Sequence, residues 1–345
     1  MKKYGMTLFA FLLIIVKSSF AQTYKISNET VLQYNKLINA AELLICDSLF
    51  SDALSIYETA FKLTNEPFAI DQYNAAMCAL NTGDYNNVES LLVNVVRKGY
   101  DYKLLDNNKT VNLLDAKHHA DLLRKLKHVS VEINYKLKDI YDSLLISDQY
   151  FRKDSLYWIK NRDTLCKTDY TNGKFLNTLI DMYGFPSEKT VGVSNNLLMA
   201  LPWEIIVIHN HVNPSCNNRV DFSMVIWEAL EQGLIRIPKA ANYLEQSIGV
   251  NIFGTDLIGL VKAEYKSNDT CYYKCGFFNL PDKSIDRINS QRISIGLGTI
   301  VEARKKVLFN ISNPDFIFSE REKFTYSYAN LLDYNYFIDN LSEVR

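Results

Sequence analysis

One pattern of small and aromatic residues occurs twice near the start of the chain, at a fixed offset. The aligned pairs are each 35 positions apart: Phe50 with Tyr85, Ala53 with Val88, and Ala41 with Ala76. A repeat of 20–50 residues is the signature of stacked supersecondary units, in which each unit buries its apolar face against the next. Small alanines let two helices approach closely, and aromatic side chains fill the space between them. The repeat therefore predicts that residues 31–130 fold as paired helices.

The two units are AAELLICDSLFSDALSIYETAFKLTNEP at residues 40–67 and AAMCALNTGDYNNVESLLVNVV at residues 75–96, with Gly83 and Asp84 at the turn of the second. They resemble the tetratricopeptide repeat, a helix-turn-helix unit of about 34 residues. The resemblance implies a concave surface that holds a peptide or another domain, so we expect a protein or peptide partner on the helical repeat surface. Two units are near the minimum for a stable array. We therefore expect the array to pack against the residues that follow it.

The N-terminal sequence MKKYGMTLFAFLLIIVKSSFAQ has the three parts of a secretory signal peptide. Lys2 and Lys3 give a positive start, and residues 6–16 are apolar. Small residues precede the expected cut after Ala21. The apolar run is too short to cross a bilayer, which takes about 20 residues. We predict that residues 1–21 are removed and that the protein is exported, periplasmic or secreted, without stable membrane insertion.

The charge balance gives no reason to expect a nucleic-acid partner. Three of the 38 lysines and arginines lie in the predicted signal peptide, which leaves 35 against 39 acidic residues. A nearly balanced surface offers no basic patch for nucleic acid or anionic lipid. With 48% hydrophobic residues, a chain of this length can build about two domain cores.

The chain has six cysteines, which an exported protein can oxidise: Cys46, Cys78, Cys166, Cys216, Cys271 and Cys275. Six cysteines allow about 15 complete pairings, so the connectivity stays open. No CxxC pair occurs, and a zinc ribbon is therefore unsupported. On a strand, Cys271 and Cys275 would share a face but lie about 13 Å apart, too far to bond to each other.

A polar interruption lies in the run INYKLKDIYDSLLISDQYFRKDSLYWIKNRD, which has the apolar spacing of one long helix. Asp148 falls on the apolar stripe, and Gln149 and Arg152 interrupt the neighbouring stripe at the same level. Asp148 and Arg152 are four positions apart and can pair on a helix. Two interpretations stay open: a partly exposed salt bridge, or a buried polar cluster that a functional site could use.

Five motifs occur in order along residues 140–307: DQYFR, YGFPSEKTVG, the apolar run into HNH, YLEQSIGVNIFGTD, and IDRINSQRISIGLGTIVE. In this order they resemble an uncharacterised bacterial domain family, a domain of unknown function. The pattern of that family includes Asp-Gln-x-x-Arg, Gly-Trp-Pro, Gln-His, Tyr-Gly-Thr and Arg-x-x-x-Gly-Leu. Each motif alone is weak, and the ordered series carries the resemblance. It implies a fold and candidate positions but no reaction, because the function of the family is unknown.

The resemblance assigns candidate residues at the matching positions. These are Asp148, Gln149 and Arg152, Gly184 and Pro186, His211 with Asn210 in place of Gln, Gly254 and Thr255 with Phe253 in place of Tyr, and Arg292, Gly296 and Leu297. The chain departs from the pattern where Gln246 and Ser247 replace Asp-Arg, where Asn251 replaces Gln, and before the histidine, where it has an insertion. If the family has a chemistry, these departures remove charged groups that the chemistry would need.

The run VIHNHVNPSC carries two histidines, His209 and His211, followed by Cys216. On a helix the two side chains point about 200° apart and cannot bind one ion, whereas on a strand they share a face and could. Neither HExxH nor GxSxG occurs. Cys216 and His211 could form a nucleophile pair, although an exported cysteine is equally suited to a disulfide. A structural role, in which the helix end reaches Asp148 or Arg152, is favoured over a binding or catalytic pocket. A metal site is least favoured, and we predict no metal and no cofactor.

The remaining runs complete the expected fold. NNLLMALPWEIIVIHNHV has helical spacing, although its β-branched residues leave a strand open. LIGLVKAEYKSNDTCYYKCGFFNLP alternates around SNDT and predicts a β-hairpin, after which a helix returns. The aromatic residues near the C-terminus either pack back on the body or offer a contact surface.

Together these features predict a mainly α fold: a short tetratricopeptide-like helical array plus an α-rich α+β domain with a small β-hairpin. The expected divisions are a signal peptide at 1–21, the array at 24–130, the α-rich domain at 131–308 and an aromatic-rich tail at 309–345. The favoured function is an exported protein-interaction or scaffold protein.

The alternative function is an exported enzyme, for which we favour a hydrolase, with a polar pocket around Asp148, Arg152 and His211. Further candidates are Arg292 for catalysis and, for binding, Gln149, His209, Gly254 and Thr255. Convergence of the four catalytic candidates in one accessible cleft would support the enzyme, and their dispersal would remove its basis.

Overall fold

Helices make up most of the chain, as the sequence predicts. The computed structural model describes residues 24–152, 161–197, 199–212, 216–267, 270–318, 323–328 and 330–343, and the predicted signal peptide lies outside these residues. The first helices are α1 Glu29–Cys46, α2 Phe50–Phe61, α3 Ala69–Thr82, α4 Tyr85–Arg97 and α5 Ala116–Lys127. The next are α6 Tyr135–Tyr150, α7 Arg162–Tyr183, α8 Glu188–Val191, α9 Pro202–Val212, α10 Ser223–Glu231, α11 Ile237–Ile248, α12 Asp282–Ser294, α13 Ile300–Ser312 and α14 Leu331–Ile338. None of the described helices is both long and apolar enough to cross a membrane.

The two repeat units form two helical hairpins, α1–α2 and α3–α4. α2 begins at Phe50 and α4 at Tyr85, which is the 35-residue offset of the sequence repeat. Gly83 ends α3 in the left-handed conformation, with φ of 76°, where a side chain would be strained. Asp84 then caps α4 by accepting a hydrogen bond from the backbone N–H of Asn87. The predicted turn is therefore confirmed.

Small residues of the repeat lie inside these hairpins. Ala41, Ala53, Ala76 and Val88 are all buried in one core. The predicted pairing of helices is thus confirmed, and membership in the tetratricopeptide family stays a prediction.

Residues from the far end of the chain cover the array. Phe316 stacks on Phe50, with ring centroids 5.6 Å apart. The buried amide of Asn74 on α3 accepts a hydrogen bond from the backbone N–H of Ile317 at 2.8 Å and donates one to its carbonyl at 2.7 Å. The array does pack against later residues, as expected for so short a repeat.

Buried ion pairs join the same surface of the array to the second half of the chain. Arg236, just before α11, contacts Asp71 of α3 at 2.9 Å, and Lys306 of α13 contacts Glu42 of α1 at 2.8 Å. Tyr34 donates a further hydrogen bond to Asp71 at 2.7 Å. Buried charges are tolerated only when they are paired in this way. The expected partner surface of the array is therefore occupied, over these helices, by the chain itself.

A second core lies among α6, α7, α9, α10 and α11. Tyr141, Leu176, Trp203, Ala229 and Leu244 each contribute a buried side chain from one of these helices. The apolar stripe that the sequence predicts on α6, which includes Leu137 and Leu144, packs in this second core. The prediction of one long helix over residues 133–163 is wrong, because α6 ends at Tyr150, a turn follows at residues 151 and 152, and α7 begins only at Arg162.

A small sheet completes the fold. β1 Leu260–Ser267 and β2 Thr270–Phe278 form the predicted antiparallel hairpin. β3 Lys323–Tyr328 pairs parallel with β1, and β4 Leu341–Glu343 pairs antiparallel with β2, which gives the order β3-β1-β2-β4.

The C-terminal residues pack back on the body. Tyr334 and Phe337 of α14 contact Val261 and Ala263 of β1 in a buried cluster. The boundary expected at 308/309 falls within α13, so the end of the chain is not a separate tail.

Candidate functional site

Three helices bring the polar interruptions together. α9 packs on both α6 and α7, and α6 also contacts α7. Asp148 lies in the last turn of α6, Asp169 lies on α7 and His209 lies near the end of α9. These residues and Arg152 form what we call the aspartate–histidine cluster.

Asp148 is the centre of the cluster and is completely buried, at 0% exposure. Its carboxylate lies 2.8 and 3.0 Å from Nδ1 of His209 and accepts a hydrogen bond from Nε2 of Gln149 at 2.7 Å. Nη1 of Arg152 lies 3.2 Å from Oδ1 of Asp148 and donates to its backbone carbonyl at 2.6 Å. The open question about Asp148 is thereby answered: it belongs to a buried polar cluster.

Arg152 joins the two carboxylates of the cluster. Its Nη2 donates to Oδ1 of Asp169, while Oδ2 of Asp169 has no hydrogen-bond partner among the described residues. Burial raises the pKa of Asp169, with Arg152 acting in the opposite direction and the neighbouring Asp148 in the same one. The side chains of His209 and Arg152 are 23% and 19% exposed, so the cluster reaches solvent on their side.

Asn210 fixes the rotation of α9 that turns His209 toward Asp148. Its buried amide donates to the carbonyl of Asp169 at 2.8 Å and to that of Ile206 at 3.1 Å. A Cβ on Gly173 of α7 would lie 2.7 Å from the Asn210 oxygen, closer than atoms can pack. Glycine at this position therefore lets Asn210 reach the α7 backbone.

His211 does not join the cluster, which corrects the sequence-based choice of histidine. α9 is a helix, and its His211 side chain packs edge-on to Phe222, with ring centroids 6.0 Å apart. Neither ring nitrogen of His211 has a hydrogen-bond partner within the described ranges. Burial lowers the pKa of His211 from 6.5 to about 4. The negative charge of Asp221 opposes this shift, and the positive charge of Arg219 adds to it. A role for His211 beside Asp148 and Arg152 is wrong.

Arg292 also lies apart from the cluster. It is buried, and its guanidinium donates to the carbonyls of Gly298 at 2.5 Å and Phe253 at 3.0 Å. These bonds hold the loop before β1 and the turn before α13. The four residues whose convergence was to support an enzyme therefore do not meet; only Asp148 and Arg152 do. The enzyme hypothesis as built on His211 and Arg292 loses its basis, and a chemical role can be argued only from His209, which contacts Asp148 instead.

Gly254 and Thr255, the expected binding residues, hold a carboxylate of the chain itself. Glu245 accepts hydrogen bonds from the backbone N–H of Gly254 at 2.7 Å and of Thr255 at 2.9 Å. It also accepts bonds from the backbone of Phe253 and the hydroxyl of Thr255. Burial raises the pKa of Glu245, although these donors act in the opposite direction. This loop is an internal anion site that is already filled.

Cys216 is bonded to Cys166 of α7, with Cα atoms 5.3 Å apart. The possible nucleophile pair of Cys216 and His211 is therefore wrong for the oxidised protein. The disulfide joins the segment after α9 to α7 at a position three residues before Asp169.

Three side chains of the cluster are also possible metal ligands. Asp148, Asp169 and His209 present three ligand atoms within 4.8 Å of one another. Two carboxylates and an imidazole are a set that zinc and related ions accept. In this structure the guanidinium of Arg152 contacts both carboxylates and supplies the compensating positive charge. The described geometry is that of an ion-pair network.

Asp169 was missed at the sequence level, although the chain carries a signal for it. Leu165, Asp169, Asn172, Leu176 and Leu179 share one buried face of α7, and Asp169 interrupts that face as Asp148 interrupts the face of α6. A second carboxylate on an apolar helical stripe is the sequence signal that points to Asp169.

No protein-family model, curated protein or solved structure matches the chain. The resemblances to the tetratricopeptide repeat and to the uncharacterised domain family therefore stay predictions, and function has to be argued from the cluster.

Proposed function

We propose that the protein is an exported enzyme of the hydrolase class, in which His209 is the general base and Asp148 positions it. The observation that carries the proposal is the contact between Nδ1 of His209 and the fully buried Asp148 carboxylate at 2.8 Å. A histidine held by a buried carboxylate at one nitrogen, and partly exposed, is the arrangement that general-base catalysis uses.

The proton positions follow from this contact. The Asp148 carboxylate accepts a hydrogen bond from Nδ1 of His209, so in the neutral imidazole Nδ1 carries the proton and Nε2 keeps its lone pair. Nε2 can then take a proton from a water molecule that attacks the substrate, and return it to the leaving group when the scissile bond breaks. Arg152 offsets the charge of the two carboxylates and keeps Asp148 in place.

Two observations support export. The N-terminal residues have the pattern of a signal peptide, and Cys166 is bonded to Cys216. Disulfides persist in exported proteins and are rare in reducing compartments.

Binding of a protein or peptide partner is a second proposed function. It concerns a surface of the array other than the one that Arg236 and Lys306 cover. A groove between α4 and α5 is lined by polar and aromatic side chains, among them Tyr85, Glu89, His118, Asp121 and Lys125. Tyr85 stacks on His118 there, with ring centroids 5.3 Å apart. The Tyr85→Ala substitution should lower the affinity for a partner that binds in this groove. It should leave catalysis by His209 unchanged.

The enzyme proposal is tested with a panel of chromogenic esters, phosphoesters, glycosides and peptides. We expect turnover of one class by the oxidised wild-type protein and a loss of about 100-fold or more in His209→Gln, which is the scale of general-base catalysis. His128→Gln, at an exposed position on α5's C-terminal end, is the matched control and should retain activity. Equal activity of the two variants, or no turnover of any class, would reject the proposal.

A measurement without substrate separates positioning from catalysis. Nitrogen NMR of labelled histidine should show His209 with its proton on Nδ1, and Asp148→Asn should alter this tautomer. An unchanged tautomer in a folded Asp148→Asn protein would count against the role given to Asp148.

A further inference from the structure

The two carboxylates of the aspartate–histidine cluster outweigh the positive charge of Arg152. Asp148 and Asp169 are 0% and 3% exposed, and the guanidinium of Arg152 contacts both carboxylates. With His209 neutral, these side chains together carry one net negative charge. A buried charge without compensation is costly, so the cluster favours the uptake of further positive charge.

One carboxylate oxygen of the cluster is left over. Oδ1 of Asp169 accepts a hydrogen bond from Arg152, whereas Oδ2 is buried and has no hydrogen-bond partner among the described residues. A buried oxygen without a donor is rare in folded proteins and needs an explanation. A metal ion supplies one, because it binds a lone pair that no N–H or O–H group reaches.

The spacing of the donors suits a single ion. A carboxylate oxygen of Asp148, one of Asp169 and a ring nitrogen of His209 lie within 4.8 Å of one another. Nδ1 of His209 is 2.8 and 3.0 Å from the Asp148 oxygens. Two ligands about 2.0–2.1 Å from the same zinc ion are about 2.9–3.4 Å apart. Asp148 and His209 therefore have nearly the separation of two zinc ligands, and Asp169 lies within reach as the third.

The types of ligand favour Zn²⁺. Mg²⁺ and Ca²⁺ take mainly oxygen ligands, whereas an imidazole beside carboxylates suits a borderline ion such as Zn²⁺. Three protein ligands with water in the fourth position are the arrangement of open zinc sites. The side chains of His209 and Arg152 are 23% and 19% exposed, so solvent can supply that water.

Arg152 bridges the two carboxylates where the ion would bind, and it is able to leave. It lies beyond the end of α6, which is at Tyr150, and its side chain already reaches solvent. A long side chain can turn its charged end into water without any change in a helix. Arg152 is therefore a competitor of the ion and not a permanent block.

We propose that Zn²⁺ displaces Arg152 and binds to Asp148, to Asp169 and to Nδ1 of His209. The ion balances the two carboxylates, so the site then carries no net charge. The lone pair of Nδ1 forms the bond to zinc, and the proton that Nδ1 held moves through solvent to Nε2. Nε2 then has no lone pair with which to accept a proton, so bound Zn²⁺ inhibits the enzyme. This inhibition rests on the proposed function of His209, whereas the binding of Zn²⁺ does not.

Binding is measured without substrate, by calorimetric titration of oxidised, metal-free mature protein with ZnCl₂. We expect Asp169→Asn and His209→Gln each to weaken binding by about 10-fold or more, because each removes a ligand. Arg152→Gln should strengthen binding by about 10-fold or more, because the competing charge is gone. Misfolding cannot produce such a gain.

The matched control is Asp181→Asn, which removes an exposed carboxylate from the same helix as Asp169 and should leave the affinity unchanged. The exposed thiol of Cys271 and the exposed imidazole of His128 are the same in all these variants, so they contribute equally to every titration. Absence of binding by the wild type, or equal affinity of the wild type and Asp169→Asn, would overturn the proposal.

Two further readouts test the ligand atom and the inhibition separately. Nitrogen NMR should show the ring proton of His209 on Nε2 after Zn²⁺ is added, and a proton that stays on Nδ1 would refute Nδ1 as the ligand. Turnover by the wild type should be lost at Zn²⁺ concentrations that saturate the site. Turnover that persists or rises with the site filled would contradict the inhibition and the role of His209 as base, while the titrations would still establish the zinc site.

Discussion

Replacing His211 with leucine should make the folded protein less sensitive to acid. Burial lowers the pKa of His211 from 6.5 to about 4, so the folded chain resists a proton that the unfolded chain accepts. Between these pKa values the unfolded state binds more protons, and stability is therefore lost as the pH falls. From pH 7 to pH 5 this one group removes about 2 kcal/mol of the free energy of unfolding.

Leucine has a similar volume, does not titrate and removes two buried nitrogens that lack partners among the described residues. At pH 7 we expect His211→Leu to be at least as stable as the wild type, since buried unpaired polar atoms cost about 1–3 kcal/mol. At pH 5 its advantage should increase by about 2 kcal/mol.

Urea titrations of both proteins at the two pH values measure the effect, with His128→Gln as the control for loss of an exposed imidazole. If wild type and His211→Leu lose the same stability between pH 7 and pH 5, the burial argument for His211 is wrong.

Three further predictions concern stability. Ala53→Arg should lower the free energy of unfolding by about 3 kcal/mol or more, since Ala53 is fully buried; an unchanged melting temperature would reject the packing of the repeat. Replacing both Cys166 and Cys216 by serine should cost about 4 kcal/mol, because the disulfide closes a loop between residues 50 positions apart; equal urea midpoints with and without it would contradict this. Asn74→Ala should lower the free energy of unfolding by about 1–3 kcal/mol, because two hydrogen bonds to the backbone of Ile317 are lost. An unchanged free energy of unfolding in a denaturant titration would show that this amide does not stabilise the contact.

Short-range sequence patterns predicted the helices of the repeat and the β-hairpin, because each of these elements is formed by residues close together in the sequence. The repeat fixed the positions of α2 and α4, and alternation around SNDT placed β1 and β2. The pairing of β3 with β1 joins strands far apart in the sequence, and such pairing leaves no mark in either strand alone. For the same reason the sequence left about 15 ways to pair the cysteines.

The cluster was predicted in part. Asp148 and Arg152 could be paired by their spacing on one helix, and helical geometry showed that His209 and His211 point apart. Which histidine faces Asp148 depends on the rotation of α9 about its axis. Asn210 sets that rotation through a contact with α7, and only the folded chain contains that contact.

The hydrogen bonds between Asn74 and Ile317 join residues 243 positions apart. A ribosome that adds 5–20 residues per second needs about 12–50 s to travel from one to the other. For most of that time Glu42 lacks Lys306, and for the first two thirds of it Asp71 lacks Arg236, their partners in the folded chain. The first helices to be made are thus among the last to be completed, because their buried partners are synthesised much later.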